Sequence, residues 1–166
     1  MGIDPGTATT GFGVLNVSKG KLEAVEYGLI ETDKDASPGL RLTKIYEDMT
    51  KLLLQKFNPD VVAIEKLFFA TNAKTAMSVG EAKGVLILAA AKSNIEVYEY
   101  APGTIKKVVG GNGRADKKMM QKAVRKILGN GIRSKAHQKT HFDNAADALA
   151  VALCHAYKIK GGEKNG

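Results

Sequence analysis

Thiols are almost missing from this chain: Cys154 is the single cysteine among 166 residues. One thiol excludes an intrachain disulfide and a thiolate zinc cage. Long apolar runs are missing as well. The longest, Val85 to Ala91, falls well short of the ~18–20 residues of a membrane span and reads as buried helix. No secretory leader is legible at the start. No internal repeat points to an array, and no linker points to a second domain. Acidic residues are outnumbered, 17 Asp+Glu against 25 Lys+Arg. The expectation from these absences is a soluble protein of a reducing cytoplasm with no membrane partner.

What is present is ordinary globular composition, 44% apolar and 25% charged, enough for one core. The expected organisation is one domain over residues 1–158, followed by a Gly- and Lys-rich tail, 159–166, without fixed structure. The formal charge of +8 favours a polyanionic partner through long-range attraction and counterion release, without separating DNA from RNA.

The pattern of residues predicts a mixed α/β fold. Gly2 to Asp4, Phe12 to Val17 and Leu22 to Thr32 read as a three-stranded meander, with a hairpin turn at Ser18-Lys19-Gly20. Ser37-Pro38 opens a helix that Leu42, Ile45, Met49, Leu52 and Leu53 continue until Asn58-Pro59. The apolar run Val61 to Ile64, ending in Glu65, reads as a strand covered on both faces. A long helix from about Asn72 to Lys92, a strand from Ile95 to Tyr100 and a short helix at Pro102 follow. Gly110 to Gly113 is a flexible stretch, Asp116 to Leu128 a basic helix, Asn130 to Thr140 a polar loop, and Asp143 to Tyr157 the last helix.

Three acids stand out from this frame. Asp4 ends a strand just before Pro5-Gly6, where an acid projects from the sheet's edge; alone it reads equally as a turn-capping Asp. Glu65 ends an apolar strand, where a carboxylate needs water, a partner or a metal. Asp147 lies among small apolar residues, with Asp143 and Asn144 on the same helix face; the plainer account is acids near a helix N-terminus. Converged at one sheet edge, such carboxylates would repel unless divalent cations bridged them. Oxygen ligands suit Mg²⁺ or Mn²⁺, and the implied chemistry is hydrolysis of a phosphodiester by two ions.

The motifs also resemble a family. Gly2-Ile3-Asp4-Pro5-Gly6, Ile64-Glu65-Lys66-Leu67-Phe68, Asn72-Ala73, Thr75-Ala76, Gly80-Glu81-Ala82-Lys83-Gly84, Gly113-Arg114-Ala115-Asp116-Lys117 and Ala146-Asp147-Ala148-Leu149-Ala150 together resemble the RuvC-type Holliday-junction resolvases. The similarity runs in order along nearly the whole chain. It implies an RNase H-like fold with a five-stranded mixed sheet flanked by helices, a homodimer, and paired nicks across a four-way DNA junction. It also implies a branch-migration motor as partner. Metal-binding roles fall on Asp4, Glu65 and Asp147, with two Mg²⁺ per site, or Mn²⁺ in their place. Phe68 matches an aromatic near the junction centre, suited to stacking on an unpaired base. Lys106 and Lys117 match phosphate-binding positions. Arg114, Lys118, Lys74, Lys83, Phe69 and Asn72 join them as candidate DNA contacts. The long helix, with Gly80 and Gly84, matches the dimer contact, although glycines there also permit packing against the chain's own sheet.

One position departs from the family. Its last motif carries an acid or histidine three residues before the final Asp, and here that residue is Asn144. An amide offers an oxygen but neither offsets cation charge nor takes a proton as a carboxylate does. Three readings stand open: an Asp→Asn replacement that traps an uncleaved complex, takeover by Asp143, or a contribution from His141. The other histidines, His137 and His155, read as surface residues.

Rival readings are weaker. An ATP-using enzyme of the actin and sugar-kinase type would need a second domain and a second phosphate motif. A YqgF-type resolvase or RNase H itself is disfavoured by the stretch from Phe68 to Gly84. A structure-selective DNA binder without catalysis is the rival that Asn144 keeps in play.

Overall fold

The computed structural model describes residues 1–67, 73–129, 132 and 139–162. Its centre is a five-stranded sheet in the order β3-β2-β1-β4-β5, built from β1 (Gly2–Asp4), β2 (Thr9–Ser18), β3 (Lys21–Glu31), β4 (Val61–Glu65) and β5 (Glu96–Tyr100). β1, β2 and β3 are antiparallel neighbours, whereas β4 runs parallel to β1 and β5 parallel to β4. The β2–β3 turn fits the expected hairpin: Lys19 and Gly20 both take positive φ, 46° and 82°, as the tight primed turn demands.

The helices start and stop where local chemistry directs. α1 (Pro38–Lys51) has Ser37 as its cap and Pro38 in its first turn. It continues through π-type turns over Leu52–Phe57, and Asn58 ends it in the left-handed region at φ 42°. α2 spans Ala73–Lys92 and α3 Pro102–Gly110. α4 (Lys117–Leu128) is capped by Asp116, whose carboxylate accepts from the Met119 N–H at 2.8 Å. α5 (Lys139–Gly162) begins and ends several residues outside the predicted Asp143–Tyr157. Lys160 near its end donates to the Gly20 carbonyl at 2.8 Å, anchoring a turn that sequence assigned to the tail.

The two faces of the sheet pack differently. Ile3, Phe12, Val14, Val62 and Ile64 join Ile45 and Met49 of α1, Leu53 of the π-type turns after it and Leu86 of α2 in one core. Ala63 turns to the other face, where Ile105, Val109, Met120, Val124, Leu149 and Leu153 of α3, α4 and α5 gather. Side chains alternate between faces along each strand, so β4 feeds both cores. At three positions under α5 the strands carry no side chain. A Cβ on Gly2 would strike the Ala148 carbonyl, one on Gly11 the Asn144 carbonyl, and one on Gly13 would lie 2.8 Å from Leu149. Gly2 pairs with Gly13, so these glycines form a bare strip on which the helix backbone rests directly.

Candidate active site

That strip decides where the acids go. Asp4 is the last residue of β1 and Glu65 the last of β4. The parallel register sets Ile3 beside Ile64, so the next residues, Asp4 and Glu65, lie side by side. Asp4 is also opposite Gly11, where the missing side chain admits the Asn144 carbonyl of α5. One turn on, Asp147 arrives over the same strand ends.

The electrostatics show how closely these groups feel one another. Burial, then the charges of Glu65 and Asp147, push the Asp4 carboxyl up to about 7. Asp4 and Glu65 share a side-chain hydrogen bond. Glu65 is raised by burial and by Asp147, and Lys106 partly offsets this. Burial also raises Asp147, with Lys117 pulling it back. Lys117 Nζ lies 3.4 Å from Asp147 Oδ2 and 3.8 Å from Asp143 Oδ2. A cavity of about 220 Å³ opens beside the acids, lined by Glu65, Lys106, Lys117 and Asp147 over apolar Ile105 and Met120.

Among the described residues no three His, Cys, Asp or Glu side chains close into a ready-made metal cage. Asp4 and Glu65 are joined to each other, and Asp147 leans on the Lys117 ammonium. The donor chemistry nevertheless fits a hard divalent cation: all the donors are oxygens, they are part-buried, and burial raises each carboxyl.

The other candidates fall into distinct places. Asn144 donates through Nδ2 to Thr9 Oγ1 at 3.0 Å, which turns its amide toward β2. Both oxygens of Asp143 are engaged by α4: Oδ1 accepts from Gln121 Nε2 at 2.6 Å, and Oδ2 faces Lys117. Lys106 and Lys117 line the cavity, while Arg114 and Lys118 are exposed nearby on the chain. Lys83 departs from expectation as a DNA contact. Its ammonium sits 3.0 Å from Glu99 and its side chain is only 14% exposed, so it ties α2 to β5. His155 also departs, being buried rather than superficial. Its Nδ1 is 2.8 Å from the Tyr100 hydroxyl and its ring packs at a tilt against Tyr98. Its place four residues after Val151 on the core side of α5 was the available signal. Phe68, Phe69 and Asn72, with the side chains of Lys74 and His141, lie outside the described residues.

Sequence reading missed Thr9, Gly11, Gly13 and Gln121. Gly11 and Gly13 had a signal, because glycines two apart in a strand bare one face for close approach. Gln121 follows Lys117 by one helical turn and so shares its face.

A sheet of this order, with acids at the adjacent ends of β1 and β4 and on a helix crossing them, defines an RNase H-like nuclease. The model of the family described as Crossover junction endodeoxyribonuclease RuvC matches residues 1–155, and the chain belongs to that family. The RuvC of Natranaerobius thermophilus is 46% identical over 162 residues, covering 96% of each chain. That of Thermotoga petrophila is 46% identical over 160 residues, covering 96% of this chain and 93% of the relative. Among solved structures, T. thermophilus RuvC in complex with Holliday junction substrate superposes with a TM-score of 0.84 at 32% identity, covering 97% of this chain and 94% of that one. A yeast mitochondrial Holliday junction resolvase, at 18% identity and a TM-score of 0.66 over 92% of this chain and 75% of that one, shares the fold alone.

Proposed function

We propose that this chain resolves four-way DNA junctions by paired, symmetric nicks, hydrolysing phosphodiesters at the Asp4–Glu65–Asp147 site. The observation that carries this is the convergence itself: two adjacent strand ends and one crossing helix bring three part-buried acids together in a basic cleft. Asp4, Glu65 and Asp147 would hold two Mg²⁺, or Mn²⁺, with the Asn144 amide oxygen as a neutral fourth donor. Such ions, when bound, activate water and stabilise the leaving 3′-oxygen. The chain's own part is to hold the acids at fixed spacing and to offer Lys106 and Lys117 to the phosphate. The apolar floor of Ile105 and Met120 limits water around them.

The homodimer, the branch-migration motor and the cytoplasm belong to the same proposal. Support for the dimer comes from α2: a Cβ on Gly84 would meet nothing within 4 Å, so this glycine is not spent on packing inside the chain. Met77 and Leu88 on the same helix are 70% and 52% exposed. No helix among the described residues is long and apolar enough to cross a membrane.

The test is cleavage of a labelled four-way junction in Mg²⁺. Asp4→Asn, Glu65→Gln and Asp147→Asn are each expected to lower cleavage by about 10⁴-fold while junction binding persists. Loss of binding in all three would overturn the site. Asn144→Asp belongs beside them: activity only in that variant marks Asn144 as a replaced catalytic acid, and activity in both shows that an amide suffices. Tight binding with no product in either would leave a structure-selective binder.

A further inference from the structure

Asp143, placed by sequence as a stand-in ligand, is held by a different set of contacts. Its carboxylate is gripped from α4 at two points. Gln121 donates to Oδ1 at 2.6 Å, which fixes the plane of the group and leaves Oδ2 toward Lys117. Lys117, one helical turn before Gln121, stands between two anions, 3.8 Å from Asp143 and 3.4 Å from Asp147. A cation at Asp147 and an ammonium at Asp147 exclude each other by charge. Unless Lys117 has another anion to lean on, it competes for the carboxylate that the metal needs.

We infer that Asp143 is a positioning residue, which acts through Lys117 and is not itself a metal ligand. With Gln121 orienting it, Asp143 gives the ammonium a second partner, so Asp147 is surrendered to a divalent cation while Lys117 stays at the cleft for phosphate. This rests on the metal site proposed above. It also accounts for an acid beside Asn144 whose oxygens both turn to α4.

The discriminating measurement is Mn²⁺ affinity, read by titration calorimetry or by the spin-resonance signal of free Mn²⁺, on the full chain without DNA. Asp143→Asn is expected to weaken Mn²⁺ about fivefold, and Gln121→Met to weaken it in the same direction by less. Lys117→Met is expected to tighten Mn²⁺, since the competing ammonium is gone. In the Lys117→Met background, Asp143→Asn is then expected to change affinity by less than about twofold. An undiminished fivefold loss there would make Asp143 a ligand and overturn the inference, leaving the metal site intact. Wild-type Mn²⁺ binding indifferent to Asp4→Asn would overturn the metal site itself, and the inference with it. Circular dichroism of each variant shows whether it is folded, and Asp143→Glu, which keeps the charge, is expected to restore most of the affinity.

Discussion

The two faces of the sheet solve different problems. On the α1–α2 face, branched and long side chains fill the space between helix and strand: Ile3, Ile64, Ile45, Met49 and Leu53 are all fully buried. On the α5 face, glycines at positions 2, 11 and 13 let the helix come down directly, meeting Asn144, Ala148, Leu149 and Ala152. Bulk on the first face supplies hydrophobic stabilisation. The missing side chains at these glycines on the second fix a close distance between helix backbone and strand. The site depends on that distance, because Asp147 reaches Asp4 and Glu65 only if α5 lies directly on the strip.

The contrast is open to direct test. The largest effect is expected from Gly11→Ala, whose methyl group would collide with the Asn144 carbonyl and lift the first turns of α5. Cleavage should fall about a hundredfold, as misplacement near 1 Å does, with stability lower by about 3 kcal/mol. Normal cleavage in this variant would mean that the seat of α5 does not set the site. Met49→Ala breaks the other face. It should cost about 3 kcal/mol in denaturant unfolding, yet leave cleavage by the folded protein unchanged. A loss of cleavage equal to that of Gly11→Ala would erase the distinction between faces.

The smallest expected effect is on stability against pH. Folding raises the proton affinity of Asp4, to about 7. Its contribution is therefore present in full below the ordinary carboxylate range and is lost as pH rises through about 7. Glu65 and Asp147 are shifted in the same direction. In chelator, Tm should drop by a few degrees between about pH 6 and about pH 8. Asp4→Asn should flatten that drop, whereas Met49→Ala should lower Tm without changing its slope. A pH slope unaltered in Asp4→Asn would show that Asp4 is not the buried, coupled acid described.

Much of the fold was legible from local chemistry. The hairpin at Lys19-Gly20, the Ser37 cap with Pro38, the stop at Asn58 and the strand from Val61 to Glu65 are set by dihedral preference, capping and apolar pattern. The acids were legible for a similar reason: Asp4 and Glu65 each end an apolar strand, and Asp147 stands among small apolar residues inside α5. Partnerships across the chain were not legible. Lys83 was read as a candidate DNA contact, and its ion pair with Glu99, 16 residues on, had no local signal. The contacts that Asp143 makes with Gln121 and Lys117 on α4 lie equally beyond local pattern.

By itself, then, the sequence determined the kinds of element, the acids available and the element each one sits on, because those follow from interactions within a few residues. Only the tertiary structure decided which acids meet, which lysine neutralises which carboxylate, and how closely α5 approaches the sheet. Those outcomes depend on groups far apart in the chain, as Thr9 and Asn144 are at 135 residues, and no local preference carries information over that separation.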